Sequence, residues 1–481
     1  RLGLFDAVVS RGRDALRRCT DPETQQRLRN AVSEALFARG DVKEAHEALG
    51  DGGGQRAALE AGVLRARALD ELGHLEEALS VCRSLEKQVD DSDPLADRIV
   101  EVQVSVLRQR DSFDEARTLL QESIVRHERG GALGLLGDDY THLGLVEFGQ
   151  GRMPQARECF ERAGQLYERT GNRYGIARAL NGLGVAQAET GEHAHALETF
   201  RRGLDLCQRL GEQVNATNYL GNLGQLFSVL GRFREALEHV DRGIELAARN
   251  GMHYTLTRIR IIRAGILALL GLDAACESAL EHALEKVEVD RYEGQVLLIR
   301  SDLALRRGRL DEVEGWLDRA ERIFDESEID DELTLTQVAR ARLLFARGES
   351  DEAIALLRAT TEVARQQSLP LIESEAEALH AELLLDAGQR DEAERIAAIG
   401  LETAERLEFV EATWRQHRVL GCIAAARDDL PAALEHYEAC VSVFREVTSE
   451  LPQEFAGAYL DHPRRRRALE ELDALGRRAD S

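Results

Sequence analysis

The side chains able to do chemistry in this 481-residue sequence are spaced in ways that argue against the common reactions. Lys43, Lys87 and Lys286 are the only lysines, and none closes a GxxxxGK loop, so no P-loop is present. The glycine run GDGGGQ at 50–55 reads as a flexible loop between helices. Thirteen histidines include no HExxH, and His193 and His195, two residues apart, fall on different helix faces. The seven cysteines (Cys19, Cys82, Cys159, Cys207, Cys276, Cys422, Cys440) form no CxxC and read as reduced, mostly buried cytoplasmic thiols. No catalytic residue, metal or cofactor is assigned, and the segment is expected not to be an enzyme.

Charge narrows the partner class. A net charge of −25 argues against general nucleic-acid binding, which needs a basic surface. The acidic stretch DESEIDDE at 325–332 reads as a solvated loop between helical units, and HPRRRR at 462–467 as solvated decoration of a C-terminal helix. Arg65, Arg263, Arg300 and Arg340 recur just before a small residue and are expected to make salt bridges within the fold rather than bind an acidic ligand. No run of eighteen apolar residues and no signal peptide occurs, so a cytoplasmic location with no membrane contact is expected. With three lysines among 62 basic residues, arginine dominates, a bias that suggests a GC-rich bacterial genome. The first residue is not Met and Arg1 opens inside an amphipathic stretch, from which a preceding domain is expected.

These residues are carried by a repeat. Gly151, Gly191 and Gly231 stand forty residues apart, as do Ala156, Ala196 and Ala236, and Phe160, Phe200 and Val240. Gly144, Gly184 and Gly224 keep the same interval, as do Gly171, Gly211 and Gly251. The small-residue column extends to Ala45, Ala78 and Ala116 upstream and to Cys276, Val313, Ala353, Ala393 and Ala433 downstream, which makes eleven units. Apolar residues on either side of each central glycine recur near 3.6, so each unit is two helices joined by a tight turn. Seven prolines, all near expected helix starts, and 5% aromatics fit an all-α chain. One such hairpin cannot bury its apolar face, so the units must stack into a solenoid.

The pattern L-G followed by A-x3-F resembles the tetratricopeptide repeat in a long, forty-residue form, which implies a right-handed superhelix of about eleven hairpins with a C-terminal capping helix. Residues 1–136 read as degenerate repeats and 137–256 as regular ones. NGLG and GNLG in the regular block resemble the repeats of kinesin light chains and G-protein-signalling scaffolds. Residues 257–450, with RAGILALLGLDAAC and HAELLLDAGQRDEA, resemble the sensor arrays of bacterial signal-transduction ATPases of the maltose-activator type and of multidomain serine/threonine kinases. Residues 451–481 read as the cap.

The resemblance implies function by protein binding. In such arrays the first helix of each hairpin lines a concave groove, which here implies Asp138 and His142, then Arg178 and Asn181, then Asn218, Asn222 and Gln225 as contacts for a protein or peptide. Asn222 and Gln225 match positions that clamp an extended peptide backbone, for which an amide supplies both donor and acceptor. The expected role is the sensor or interaction region of a larger bacterial signalling protein with an upstream effector. The alternative is a free-standing scaffold or co-chaperone adaptor.

Overall fold

The computed structural model describes residues 4–39, 41–50, 52, 54–72, 74–90, 93–110, 112–250, 252–283, 290–326 and 330–479. Lys286, Asp111, Gly251 and 327–329 of the acidic stretch lie outside them. Among the described residues there are 25 helices and no strand. Helix α1 (Leu4–Arg18) is followed by α2 (Pro22–Arg39) with α3 (Val42–Ala48), α4 (Gln55–Glu71) with α5 (Leu75–Glu86), α6 (Pro94–Gln109) with α7 (Phe113–Gly130) and α8 (Leu133–Gly149) with α9 (Met153–Thr170). Then come α10 (Arg173–Glu189) with α11 (His193–Leu210), α12 (Gln213–Val229) with α13 (Phe233–Asn250), and α14 (His253–Leu269) with α15 (Asp273–Ala283). The series continues through α16 (Asp290–Arg306) with α17 (Leu310–Glu326), α18 (Asp330–Ala346) with α19 (Ser350–Gln366), α20 (Pro370–Asp386) with α21 (Arg390–Arg406), and α22 (Val410–Ala426) with α23 (Leu430–Ser449). Eleven hairpins result. The C-terminal segment, expected as one helix, is two, α24 (Gln453–Asp461) and α25 (Pro463–Ala479), because Pro463 cannot donate to the preceding turn.

The repeating columns have direct causes. Gly151, Gly191, Gly231, Gly271, Gly308, Gly348 and Gly388 all have positive φ, the left-handed end that stops the first helix of a hairpin. Asp428 takes the same conformation in the last hairpin, at φ 59°, which aspartate tolerates better than most residues. The earlier glycine and the aromatic recur together because they touch. A Cβ on Gly144 would lie 2.7 Å from the Phe160 ring, and one on Gly184 would lie 2.4 Å from that of Phe200. Ser33, where glycine or alanine is usual, instead donates its hydroxyl to the Ala45 carbonyl at 2.9 Å.

Successive turns of the superhelix stack on each other. Gly151, in the fourth hairpin, abuts Gln367 and Ser368 between the ninth and tenth. Gly191 meets Arg406 and Leu407 one hairpin further on, and Gly231 meets Val410 and Val447. Gly271 faces the Ala458 carbonyl of α24. One turn therefore spans five to six hairpins. At the other end Phe5 of α1 packs on Ala247, Met252 and Leu256, the same offset. The largest core cluster accordingly joins α10–α16 to Trp414, Phe444 and Tyr459. The Phe233 and Tyr459 rings are 5.9 Å apart, and those of Trp414 and Phe444 are 5.3 Å apart.

Candidate functional site

First helices of neighbouring hairpins run side by side, so residues forty apart become neighbours on the inner face. Arg178 of α10 pairs with Asp138 of α8, and Tyr167 of α9 donates to the same carboxylate at 2.8 Å. Asn222 of α12 donates its amide to the Asn181 carbonyl oxygen at 2.9 Å. Arg258 of α14 donates to Asn218 at 3.2 Å. His142 is partly buried; burial lowers its pKa, with Glu101 the strongest opposing influence. Six of the seven inferred contact residues thus form one partly buried polar face in which Asp138 is joined to Arg178 and Asn181 to Asn222. Each of these amides has donor and acceptor capacity beyond that single bond.

Gln225 differs. It is exposed and opens onto a half-open cavity of about 2080 Å³ on the inside of the array's winding. The wall is made mainly from first helices, α4 and α6 on one side and α12, α14, α16, α18, α20 and α22 around the rest. Phe148 and Ser228, at the same repeat positions as Gln225 or close to them, also line it.

Two family models of the tetratricopeptide repeat match the chain, one over residues 139–209 and the other over 59–84 and 334–359. The chain is a tetratricopeptide-repeat array. No curated protein sequence matches it at a significant level. Similar solved structures include a Rap protein complexed with competence and sporulation factor, 12% identical over 82% of this chain and 99% of that one, TM-score 0.43. Another is aspartyl phosphate phosphatase F from Bacillus subtilis, 10% identical over 73% and 95%, TM-score 0.48. A third is the apo quorum sensor NprR from B. thuringiensis, 13% identical over 70% and 97%, TM-score 0.46. All three scores fall below 0.5, so the assignment stands on the repeats.

The charged wall of the tetratricopeptide cavity escaped the sequence reading. Arg342 bridges Asp302 at 3.1 Å and Glu375, while Arg415, 3% exposed, grips Glu375 at 2.9 Å and Glu382 at 2.8 and 3.0 Å. Burial alone would raise the Glu382 carboxyl, but the Arg415 guanidinium overrides it and holds it at about 2. A contrasting acidic wall contains Glu189, pushed up to about 7 by burial and by Asp331, and Glu332, also raised to about 7 by burial. Glu332 was expected in a solvated loop. It lies in α18, buried, and accepts from Arg291 and from Gln295 at 2.9 Å. The signal was available: 265, 302, 342 and 382 continue the column of Gln225, with one interval of 37.

The HPRRRR cluster also departs from expectation. Arg465 is 2% exposed, stacks 3.7 Å over Tyr459 and pairs with Glu411 at 2.7 Å. His462, Arg464, Arg465 and Arg467 line the cavity, and only Arg466 remains outside its lining. Of the regularly spaced arginines, Arg263 pairs with Asp241 at 2.6 Å and Arg340 with Asp318 at 2.9 Å, as internal salt bridges should.

Two other constellations are structural. Ser123, His127 and Asp139 resemble a nucleophile triad, yet Ser123 donates to Asp139 at 2.8 Å and His127 Nδ1 meets the same carboxylate at 2.6 Å. His127 Nε2, the atom that would take a serine proton, faces Asp97 at 3.1 Å instead. This buried network ties α6, α7 and α8 together. Burial pushes Cys82, Cys159, Cys207, Cys276 and Cys440 up to about 12, which leaves them unreactive as nucleophiles at neutral pH. Among the described residues no group of three or more His, Cys, Asp or Glu could hold a metal, and no helix is long and apolar enough to cross a membrane.

Proposed function

We propose that this tetratricopeptide array binds a protein or peptide on its inner face and is the sensor or interaction region of a larger cytoplasmic signalling protein of bacterial type, with an attached effector. The observation that carries the reading is the half-open cavity of about 2080 Å³ lined mainly by first helices, continuous in repeat position with the amides of Asn181, Asn218 and Asn222. Its volume exceeds the 300–1,000 Å³ typical of small-molecule pockets and suits an extended peptide. Asp138, His142, Arg178, Asn181, Asn218, Asn222 and Gln225 are the proposed contacts at one end. Binding there would change the spacing of stacked superhelical turns and so reach the effector.

The test is affinity capture with the intact protein, comparing wild type with Asn222→Ala and Gln225→Ala. The reading expects a polypeptide partner whose retention falls at least tenfold in the double variant while the melting temperature is kept. A partner retained equally by both proteins would place binding elsewhere and reject the groove.

A further inference from the structure

The cavity contains an arginine with no partner. Arg464, near the start of α25, lines the cavity but makes no hydrogen bond or ion pair among the described residues. Its neighbours are all matched. Arg306 pairs with Asp273 and Asp302, Arg342 with Asp302 and Glu375, Arg415 with Glu375 and Glu382, and Arg418 with Glu471. Asp302, Glu375 and Glu382, the carboxylates of this wall, are therefore already engaged by other guanidiniums. Among these guanidiniums Arg464 alone makes no direct contact with a carboxylate.

The surrounding donors are also incompletely used. Arg306 Nε and Arg342 Nε are buried and lack a hydrogen-bond acceptor, and His462 Nδ1 is buried without a partner. Burial and the nearby Arg342 lower the Arg464 pKa to about 10, which leaves it charged at neutral pH. A buried guanidinium with no hydrogen-bond acceptor of its own destabilises the fold unless something supplies one. A guanidinium presents its donors in a planar fork that fits two oxygens of a carboxylate or phosphate.

We propose that Arg464, together with the free donors of Arg306 and Arg342, is a binding site for an oxyanion, a carboxylate or phosphate, on a ligand that enters the cavity. This rests on the reading of the inner face as the binding surface and adds the chemistry of what it takes. The site lies at the C-terminal wall, apart from Asn181 and Asn222, so the two can be tested independently.

The experiment is calorimetric titration and thermal melting of the whole chain with two probes, inorganic phosphate and an end-blocked tetraglutamate peptide. Wild type should bind at least one and melt higher in its presence. Phosphate alone would indicate a small-anion site; the peptide alone, or more tightly, an acidic segment of a partner. R464M should lose binding at least tenfold, R464K should lose less because charge survives without the fork, and R466Q should bind as wild type. Without ligand R464M should melt at the same or a higher temperature, since Arg464 has no hydrogen bond or ion pair to lose and its desolvated charge is removed. A lower ligand-free melting temperature for R464M would show that Arg464 is structural and overturn the proposal. So would retained binding by R464M, or binding of neither probe to wild type; that last result leaves the Asn222 comparison to decide the groove by itself.

Discussion

Arg234 of α13 and Glu450, just beyond α23, approach to 3.5 Å although 216 residues separate them in sequence. Both are largely exposed, so the pair itself contributes little. Its importance is positional, because it marks where one superhelical turn rests on the next, beside Gly231 on Val410 and Phe233 on Tyr459. The same stacking brings the walls of the cavity together.

Stacking can be separated from hairpin geometry by two glycines of similar backbone. Gly271 and Gly308 have φ of 77° and 71°, but a Cβ on Gly271 would lie 2.8 Å from the Ala458 carbonyl, whereas one on Gly308 meets nothing within 4 Å. Gly308→Ala should cost about 1 kcal/mol from the left-handed backbone alone. Gly271→Ala should cost roughly 1–3 kcal/mol more, as the cap is displaced. Paired melting curves check this, and equal losses would deny the inter-turn contact.

Glu377 is 3% exposed, and burial, reinforced by Glu373, raises its carboxyl to about 7. Between the ordinary carboxylate range and pH 7 the folded chain holds a proton that the unfolded chain has lost, so this group's contribution to stability falls as pH rises through that window. Glu377→Gln should therefore be more stable than wild type at pH 8, by roughly 2–3 kcal/mol at most, and nearly equal to it at pH 4. Melting temperatures at the two pH values test the difference.

Glu382 has the opposite sign. Held at about 2 by Arg415 against the effect of burial, it stabilises the fold above its ordinary pKa, and that contribution is lost as pH falls toward 2. Arg415→Met leaves Glu375 and Glu382 without their shared guanidinium. It should cost about 3–5 kcal/mol and move acid unfolding to higher pH. Circular dichroism during acid titration measures both.

The Ser123, His127 and Asp139 network should behave as a tie between helices. Asp139→Ala should lower stability by about 1–3 kcal/mol, because two buried donors lose their acceptor. Ser123→Ala should cost about 1 kcal/mol. Chemical denaturation gives these values, and neither variant should alter partner retention in the capture assay.

What the sequence made legible is what is local. Turn glycines, the small residue after them and prolines at helix starts act within one hairpin, and Gly144 recurs with Phe160 because the two touch. Contacts between superhelical turns join residues far apart, such as Gly191 and Leu407, and leave no periodic trace. The charged wall was readable in principle, since Glu375 and Arg415 continue the column of Asp138, Arg178 and Asn218. The role of HPRRRR was not, because it depends on α24 ending at Pro463 and on α25 then bringing Arg464 and Arg465 to the cavity.

The most direct measurement places a photo-crosslinking amino acid at Gln225, on the cavity, and in a second protein at Arg202, exposed on α11. If the inner face binds a polypeptide, position 225 forms an adduct with it, position 202 does not, and Asn222→Ala abolishes the adduct. Equal labelling from both positions, or a polypeptide captured only at 202, would contradict the account.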